Sequence, residues 1–421
     1  MALTGILFAI MYCCLFALAD KRHIVAAIGA AVFILLGQIS LGEAIMAIDY
    51  NVLLMIAGSM GLVYFFIESK MPNLISDWVL SKLNNACAVI VALALLSGII
   101  SAFIDNVATV LMMAPIALSV AERLKISPIP IVIAVAVSSN LQGAATLVGD
   151  TTSLLLSSAA GMDFFDFFVY NGKIGMFFVV QAGAIVSCII LWFLFRDKND
   201  KVEARELTKV EDMAPTYALV AMLVILICCS FLPNKPALTN GIVCFTLYVI
   251  LAIWETMKTK TNQFVTSAKE IDFKTLIILS GVFIAIAAVE KNGVLQLVAD
   301  TFANLGGGNV FVLYSLILWA SVIISAFIDN IPYVAAMLPV VSSMSTTLGI
   351  DPTLLYFGLL CGATLGGNLT PVGASANITG IGILTKAGHE VSNNDFFKIG
   401  IPFTLSAVTT GYIMLWLIWG M

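Results

Sequence analysis

Two aspartate–asparagine pairs in identical contexts are the residues of this chain best suited to binding a charged solute. The sequence SAFIDN occurs twice, ending once in Asp105-Asn106 and once in Asp329-Asn330. Both copies lie within long apolar segments, and a carboxylate at the centre of a bilayer costs about 2.5–3.5 kcal/mol on insertion scales. Each aspartate therefore needs a partner, a water-filled cavity or a proton.

The distribution of basic residues narrows these options. All 20 Lys and Arg lie in loops or at the ends of apolar spans, so we do not expect a permanent ion pair with either aspartate. Carboxylate and amide oxygens are hard ligands, and they predict a site for Na⁺ or H⁺, with Na⁺ at Asp105, Asn106, Asp329 and Asn330. As an alternative, both aspartates cap the helices that follow, a position that Asp and Asn favour. Capping and ion binding are compatible.

Two glycine-rich polar segments follow the aspartates: LQGAATLVGDTTS at 141–153 and LGGNLTPVGASAN at 365–377. Glycine lets the backbone leave helical geometry, and unwound helices form the binding sites of inverted-repeat transporters. A kink in a packed helix is the alternative, but the polar residues favour a binding site: Thr146, Thr370, Asn368, Ser375 and Asn377. Asp150, which matches Ala374 in the second segment, is expected to cap the helix that starts at Thr151, and a proton carrier is the alternative role.

The composition places these residues in a membrane. Of the 421 residues, 61% are hydrophobic and 11% charged, with a mean hydropathy of +1.05, whereas soluble domains are about half apolar and a quarter charged. Apolar blocks such as 174–195 match the roughly 20 residues that a helix needs to cross a bilayer. A net charge of −5 without long charged runs argues against a nucleic-acid partner. We predict a multi-pass protein of the inner membrane that is not an enzyme.

The chain is an internal duplication. Residues 101–149 match residues 325–373 at 18 of 49 positions without a gap, where background frequencies near 8% give about four. The predicted units are a first repeat (1–195), a cytoplasmic linker (196–214) and a second repeat (215–421). The predicted re-entrant hairpins lie near 86–121 and 309–344, and the predicted discontinuous helices lie near 129–160 and 353–385.

Charge placement predicts the topology. Five crossings in each repeat require the second repeat to be inverted. With the loop at 20–23 cytoplasmic, only Lys173, Lys235 and Lys291 lie outside, which agrees with the positive-inside rule. Both termini are then extracytoplasmic, and the two hairpins enter from opposite faces, so that their tips meet near the midplane.

Four linked motifs resemble the ion transporter superfamily, in particular the branch of arsenite permeases, NhaD-type sodium/proton antiporters and the melanosomal P protein. They are DNVATVLMMAPI from Asp105, LQGAATLVGD, DNIPYVAAMLPVV from Asp329, and GATLGGNLTPVGASAN. The resemblance covers both repeats. It implies an all-α, homodimeric elevator transporter, in which a transport domain slides against a scaffold with a small ionic substrate and Na⁺ or H⁺ as its coupling ion.

The resemblance also implies a set of site residues. The first Na⁺ site would use Asp105, Asn106 and the backbone of Gly143-Ala144, and the second would use Asp329, Asn330 and Gly367-Asn368. The substrate would touch Thr109, Thr146 and Thr370. The chain departs from its P-protein relatives at Gly149-Asp150-Thr151-Thr152-Ser153, where they usually read Gly-Asp-Pro-Pro-Asn, and Tyr333 replaces the threonine expected by symmetry with Thr109.

Three classes of function compete. An intramembrane aspartyl protease would need a Gly-x-Gly-Asp signature, but Leu147 stands where the first glycine should be. A channel would need a continuous pore, whereas two opposed hairpins suit an occluded site. We predict a secondary active transporter that moves a small anionic solute coupled to Na⁺, with the anion held by helix N-termini and bound Na⁺. A Na⁺/H⁺ antiporter or an arsenite efflux permease are the alternatives.

Overall fold

The computed structural model describes most of the chain. The described ranges are 1–18, 21–83, 85–196, 207–210, 212–232, 236–294, 296–297, 300–301 and 309–421. Most of the predicted linker, at 197–206 and 211, lies outside these ranges, as do Asp20 and Lys235 of the topology prediction.

Nineteen α-helices form the described part of the chain. The first half contains α1 (Ala2–Ala17), α2 (Arg22–Leu35), α3 (Leu41–Ala47), α4 (Tyr50–Glu68), α5 (Met71–Leu80), α6 (Ala86–Ser101), α7 (Asn106–Leu124), α8 (Ile129–Gly143), α9 (Thr151–Ala160) and α10 (Met176–Phe195). The second half contains α11 (Ala214–Ser230), α12 (Thr239–Thr259), α13 (Gln263–Lys269), α14 (Phe273–Lys291), α15 (Val310–Ser325), α16 (Asn330–Leu348), α17 (Thr353–Gly366), α18 (Ser375–Lys386) and α19 (Asn393–Trp419). Two short antiparallel strands, β1 (Val169–Tyr170) and β2 (Lys173–Ile174), precede α10.

Six of the described helices are long and apolar enough to cross a membrane: α4, α10, α12, α14, α16 and α19. Others are apolar but shorter. Helices α8 and α17 have 15 and 14 residues, or about 21–23 Å at 1.5 Å per residue. Each is too short to cross alone. A non-helical segment separates α8 from α9, whereas a 3₁₀ turn (Gly367–Leu369) and then a non-helical segment separate α17 from α18.

Matched side chains start the helices of the two halves. Asn85 accepts hydrogen bonds from the backbone N–H groups two and three residues ahead, and Asn309 does the same. Asp49 and Asp272 each accept one from the N–H three residues ahead. Such caps satisfy backbone donors that the first turn leaves unpaired. The duplicated sequence thus produces duplicated helix starts, while the inverted orientation of the halves stays a prediction.

The helices pack in two groups. In the outer group, α2 packs along α14 and α4 along α12, with α1, α3, α11 and α13 beside them. In the central group, α6 packs on α8, α15 on α17, and α10 on α19. The groups meet where α14 packs on α16 and where α4 packs on α9. The connections α6–α7 and α15–α16, which carry the two SAFIDN sequences, lie in the central group.

Candidate functional site

The first tip, residues 102–106, is the turn that joins α6 to α7. The Asp105 carboxylate accepts hydrogen bonds from the backbone N of Val107 (3.0 Å) and of Ala108 (3.1 Å), so it is the N-cap of α7. Both bonds end on Oδ1. The Thr109 hydroxyl donates to the carbonyl of Asp105 (3.0 Å) and closes the same turn. The capping role is therefore realised, and it engages only one carboxylate oxygen.

The second tip, residues 326–330, joins α15 to α16 with the same cap but a different partner. Oδ1 of Asp329 accepts from the backbone N of Ile331 (3.2 Å). Its Oδ2 lies 2.7 Å from Nη1 of Arg22, whose Nε donates to the Leu15 carbonyl (3.1 Å). The expectation that no basic residue pairs with either aspartate is wrong for Asp329. Arg22 does lie at the end of a helix, but the second tip packs against that end.

Matched threonines attach the unwound segments to the tips. The Thr146 hydroxyl donates to the carbonyl of Ala102, and the Thr370 hydroxyl donates to that of Ala326. Both threonines are buried. Because each hydroxyl proton is bound within the fold, these two residues hold the tips in place against the unwound segments.

Matched glycines allow the same close approach. A Cβ at Gly149 would lie 3.0 Å from the carbonyl oxygen of Ala102 in the first tip, and one at Gly373 would lie 2.7 Å from that of Ala326 in the second tip. The nearest obstacles are in the unwound segments themselves: these Cβ atoms would lie 2.7 Å from the carbonyl oxygen of Gly143 and 2.5 Å from that of Gly367. Both distances are shorter than a carbon–oxygen contact allows, and the obstacle is backbone rather than a flexible side chain. Only glycine fits at either position.

A chain of buried amides links the two halves of the protein. Nδ2 of Asn106 donates to Oδ1 of Asn140 (3.0 Å), and Nδ2 of Asn140 donates to Oδ1 of Asn368 (3.1 Å) and to the Thr364 carbonyl (2.8 Å). Nδ2 of Asn368 donates in turn to the Val137 carbonyl (2.8 Å). Buried amides need such partners, so the first tip is held in register with the second unwound segment.

Asp150 faces the second tip. Its side chain is almost fully buried, with 4% of the residue exposed, and Oδ2 accepts from Nδ2 of Asn330 (3.2 Å) and from the Thr152 hydroxyl (2.9 Å). Asp150 occupies the N-cap position of α9, as predicted, and its carbonyl accepts from the backbone N of Leu154 (3.3 Å), but its side chain makes no capping hydrogen bond. Asn330 and Thr152 bind the carboxylate instead, although the extended backbone of Asp150 (φ −149°, ψ 151°) is typical of an N-cap residue.

Both tips line one cavity of about 390 Å³. Its polar lining residues are Ser59, Asp105, Asn106, Asp150, Thr151, Glu270, Asp272, Thr275, Asn330 and Ser375. The buried end lies at Asn106, Asp150 and Asn330, whereas Glu270 is exposed. The cavity therefore runs from a polar floor between the tips to a rim in the loop before α14.

The charged residues in the described lining of the cavity are all acidic. Four carboxylates line it, from Asp105, Asp150, Glu270 and Asp272, and no lysine or arginine belongs to the lining that the structure describes. Like charges gathered in a low-dielectric cleft raise the local concentration of counter-ions. The arrangement is suited to taking up cations.

The predicted site residues fall into two sets. Asp105, Asn106, Asn330 and Ser375 line the cavity. The others do not belong to its lining: Thr109, Gly143, Ala144, Thr146, Asp329, Gly367, Asn368, Thr370 and Asn377. Asn377 is fully buried and donates to the carbonyls of Gly367 and Thr370, both at 3.2 Å.

Sequence reasoning missed Arg22, Asn140, Glu270 and Asp272. The polar run Ser138-Ser139-Asn140 at the end of an apolar helix was a signal for Asn140. Asp272 matches Asp49 in the duplication, but its place beside the first tip depends on the packing of α14. Arg22 and Glu270 carry no local signal of their role.

Comparison with known proteins agrees with this architecture. A family model named CitMHS and described as a citrate transporter matches residues 13–362. A 46 kDa membrane protein of Mycobacterium leprae is 29% identical over 411 residues, covering 94% of each chain. An uncharacterized transporter of Mycobacterium tuberculosis is 29% identical over 412 residues with the same coverage. The human P protein is 25% identical over 462 residues, covering 91% of this chain but 55% of the P protein.

Two solved transporters share the fold. The YdaH transporter of Alcanivorax borkumensis superposes with a TM-score of 0.60 at 14% identity, over 87% of this chain and 84% of its own. A second match is MtrF of Neisseria gonorrhoeae, which is described as illuminating a class of antimetabolite efflux pumps. It superposes with a TM-score of 0.60 at 16% identity, over 92% of this chain and 84% of MtrF. At these identities the likeness shows the fold alone.

These findings confirm the resemblance to the ion transporter superfamily, including the P protein. They also confirm that the protein is a membrane transporter and not an enzyme. Since the matching family model covers most of the sequence, the chain belongs to the CitMHS family, whose model is described as a citrate transporter.

Proposed function

We propose that this transporter couples the movement of a small anionic solute to Na⁺ across the inner membrane. The observation that carries the proposal is the cavity between the tips, with four carboxylates and no basic residue in its described lining. Neighbouring carboxylates repel each other strongly where water is limited. A bound cation relieves that repulsion, and oxygen ligands suit Na⁺.

The first cation binds at the first tip. Oδ1 of Asp105 is used in capping, so Oδ2 is available, and the Asn106 and Asp150 side chains line the same cavity. The backbone of Gly143-Ala144 belongs to this site by the family resemblance. Cation binding at this tip leaves the N-cap of α7 intact, because cap and ligand use different oxygens.

The second cation binds at the second tip, with Asp329, Asn330 and the backbone of Gly367-Asn368. A further observation supports this site: Oδ1 of Asn377 is buried and accepts no hydrogen bond from any residue that the structure describes. Its Nδ2 is bound to two carbonyls of the same unwound segment. A buried acceptor without a donor is rare, and a cation would supply the missing partner.

The anion binds after the cations. Without a basic residue in the lining, an anion must be held by bound Na⁺ and by backbone N–H groups such as those at the start of α18, where Ser375 enters the cavity. The description of the family as a citrate transporter supports a carboxylate as cargo. This order makes anion uptake dependent on Na⁺.

Movement follows an elevator scheme in a homodimer. The outer group is the scaffold, and the central group, which carries both tips and both unwound segments, is the transport domain. The exposed rim at Glu270 belongs to a loop that the positive-inside rule assigns to the cytoplasm. On this assignment the cavity opens to the cytoplasm, as in an inward-open state, and both termini are extracytoplasmic.

Purified protein in liposomes tests the coupling. We expect ²²Na uptake that requires citrate or another small carboxylate on the same side, and carboxylate uptake that requires Na⁺. Uptake of carboxylate at the same rate with choline replacing Na⁺ would overturn Na⁺ coupling.

Na⁺/H⁺ antiport is the second candidate, and the same acidic lining favours it. In that case the carboxylates exchange Na⁺ for protons, and no anion enters. A Na⁺ gradient alone would then change the pH inside the vesicles, without any carboxylate in the medium. Symport predicts no such change.

A further inference from the structure

The ion pair between Arg22 and Asp329 joins the outer group of helices to the second tip. Arg22 is the first residue of α2, and its guanidinium is held from the other side by the Leu15 carbonyl. A second contact lies nearby, where the Tyr12 hydroxyl donates to the Pro332 carbonyl (3.0 Å). The second tip is thus docked onto α1 and α2 by one charged and one neutral contact.

Among the residues that the structure describes, the first tip has no equivalent of this pair. Asp105 has the same neighbours in sequence, yet it makes no ion pair within the described chain and shares its cavity with Glu270 and Asp272. The two carboxylates are therefore surrounded by opposite charges. The difference comes from the outer group, which presents arginine to one tip and acids to the other.

The arginine places a unit positive charge where a monovalent ion would bind. Nη1 lies 2.7 Å from Oδ2 of Asp329, and the side chains of Arg22 and Asp329 are 20% and 14% exposed. Two cations on one carboxylate repel each other, so the guanidinium and a bound ion exclude one another. The partial exposure shows that the pair is not sealed inside the protein.

We propose that Arg22 is a tethered counter-ion, which neutralises Asp329 while the second cation site is empty and leaves when a cation binds there. The inference rests on the proposed function, since it requires a cation at Asp329. It makes Arg22 a positioning residue: it sets the cation concentration that the transporter needs, and its departure frees the second tip from α2.

The test measures cation affinity as thermal stabilisation of the purified protein by NaCl, with choline chloride at equal ionic strength, because a ligand that binds the folded state raises its stability. We expect Arg22→Gln to lower the half-saturating Na⁺ concentration about tenfold, since the ion no longer competes. Arg22→Lys retains the charge and should stay within about twofold of wild type. The combined variant Arg22→Gln/Asp329→Asn should lose the increased Na⁺ affinity of Arg22→Gln, because it lacks the carboxylate that binds the ion.

Lys291→Gln is a matched control, because it removes another ion pair between helices, the pair of Lys291 with Glu43. This variant should leave the half-saturating Na⁺ concentration unchanged. If Arg22→Gln does not purify, Arg22→Ala is measured in membrane vesicles as the Na⁺ concentration for half-maximal ²²Na uptake, with the same expected decrease. A decrease in either assay supports the proposal.

The outcomes separate this inference from the proposed function. If wild type responds to Na⁺ and Arg22→Gln responds at the same concentration, the pair is only structural and the inference is overturned, while the proposed function stands. If neither protein responds to Na⁺, both are overturned. A response that appears only in Arg22→Gln supports the inference, because the arginine then blocks the site in wild type.

Discussion

The two tips share one sequence, one turn and one helix cap, but they differ in the charge that surrounds them. Asp105 lies in a cavity with three further carboxylates, whereas Asp329 is paired with Arg22. The shared features come from residues close in sequence, and the difference comes from α2 and α14, which approach from far away in the chain. Identical motifs in a duplicated protein can therefore play unequal roles.

Neutralising the tips should have the largest effect. Asp105→Asn and Asp329→Asn remove the charge but keep a residue that caps helices well, so the fold should persist. We expect each to reduce Na⁺-dependent transport in proteoliposomes by at least about 100-fold, the loss that corresponds to about 2.7 kcal/mol.

Asp395→Asn is the matched control, because Asp395 is also a capping acid but lies at the exposed start of α19. It should transport normally. Full activity in Asp105→Asn or in Asp329→Asn would remove that tip from the site, and full activity in only one would show that the tips are unequal in function as well as in surroundings.

Filling the space beside the tips should have the next largest effect. An added methyl at Gly373 or Gly149 meets backbone carbonyls at 2.5 Å and 2.7 Å, and such overpacking typically costs about 1–3 kcal/mol. We expect both Gly→Ala variants to unfold at lower temperature and to transport poorly, with Gly373→Ala affected at least as much. Differential scanning fluorimetry measures the shift.

Gly382→Ala is the control for this comparison, because Gly382 lies in α18 and an added Cβ meets nothing within 4 Å. Alanine is favoured over glycine in a helix by about 0.5–1 kcal/mol, so this variant should be as stable as wild type or more stable. Equal destabilisation at all three sites would show that the tips are not closely packed against the unwound segments.

Removing a rim charge should have a moderate effect that depends on salt. Glu270 is exposed at the mouth of the cavity, where we expect its carboxylate to attract cations without binding them directly. We expect Glu270→Gln to raise the half-saturating Na⁺ concentration about two- to threefold at low ionic strength and to have no effect near 1 M salt, where the screening length falls to about 3 Å.

Glu290→Gln, at the far end of α14, is the control for the rim and should behave as wild type. A large, salt-independent defect in Glu270→Gln would instead make Glu270 a direct ligand of the ion.

The smallest expected effect concerns an exposed pair far from the cavity. Hydrogen bonds from Lys291 and Ser40 hold the pKa of Glu43 at about 2, below its ordinary value of 4.5. Because the folded pKa is depressed, the stabilisation is present above pH 4.5 and is lost as the pH falls towards 2. Lys291→Gln should make the melting temperature slightly less pH-dependent between pH 5 and 3.

At pH 7 the same variant should transport like wild type. Melting curves across this pH range check the prediction. An unchanged pH dependence in Lys291→Gln would show that the pair does not form in solution.

The sequence predicts the local features of the site but not its long-range contacts. The duplicated motif predicts both tips, and the density of glycines predicts where α8 and α17 end. Both features are predictable because turns and caps depend on neighbouring residues. The pairing of Arg22, the place of Asp272 beside Asp105 and the bridging role of Asn140 depend on how distant helices pack. The contact between the Asp150 carboxylate and Asn330 of the other half depends on the same packing.

The most direct test of the account is equilibrium binding of ²²Na to the purified protein, compared with the double variant Asp105→Asn/Asp329→Asn. We predict saturable binding to the wild-type protein and none to the folded double variant. Saturable binding of undiminished affinity and stoichiometry in the double variant would contradict the claim that the two tips enclose the coupling ion.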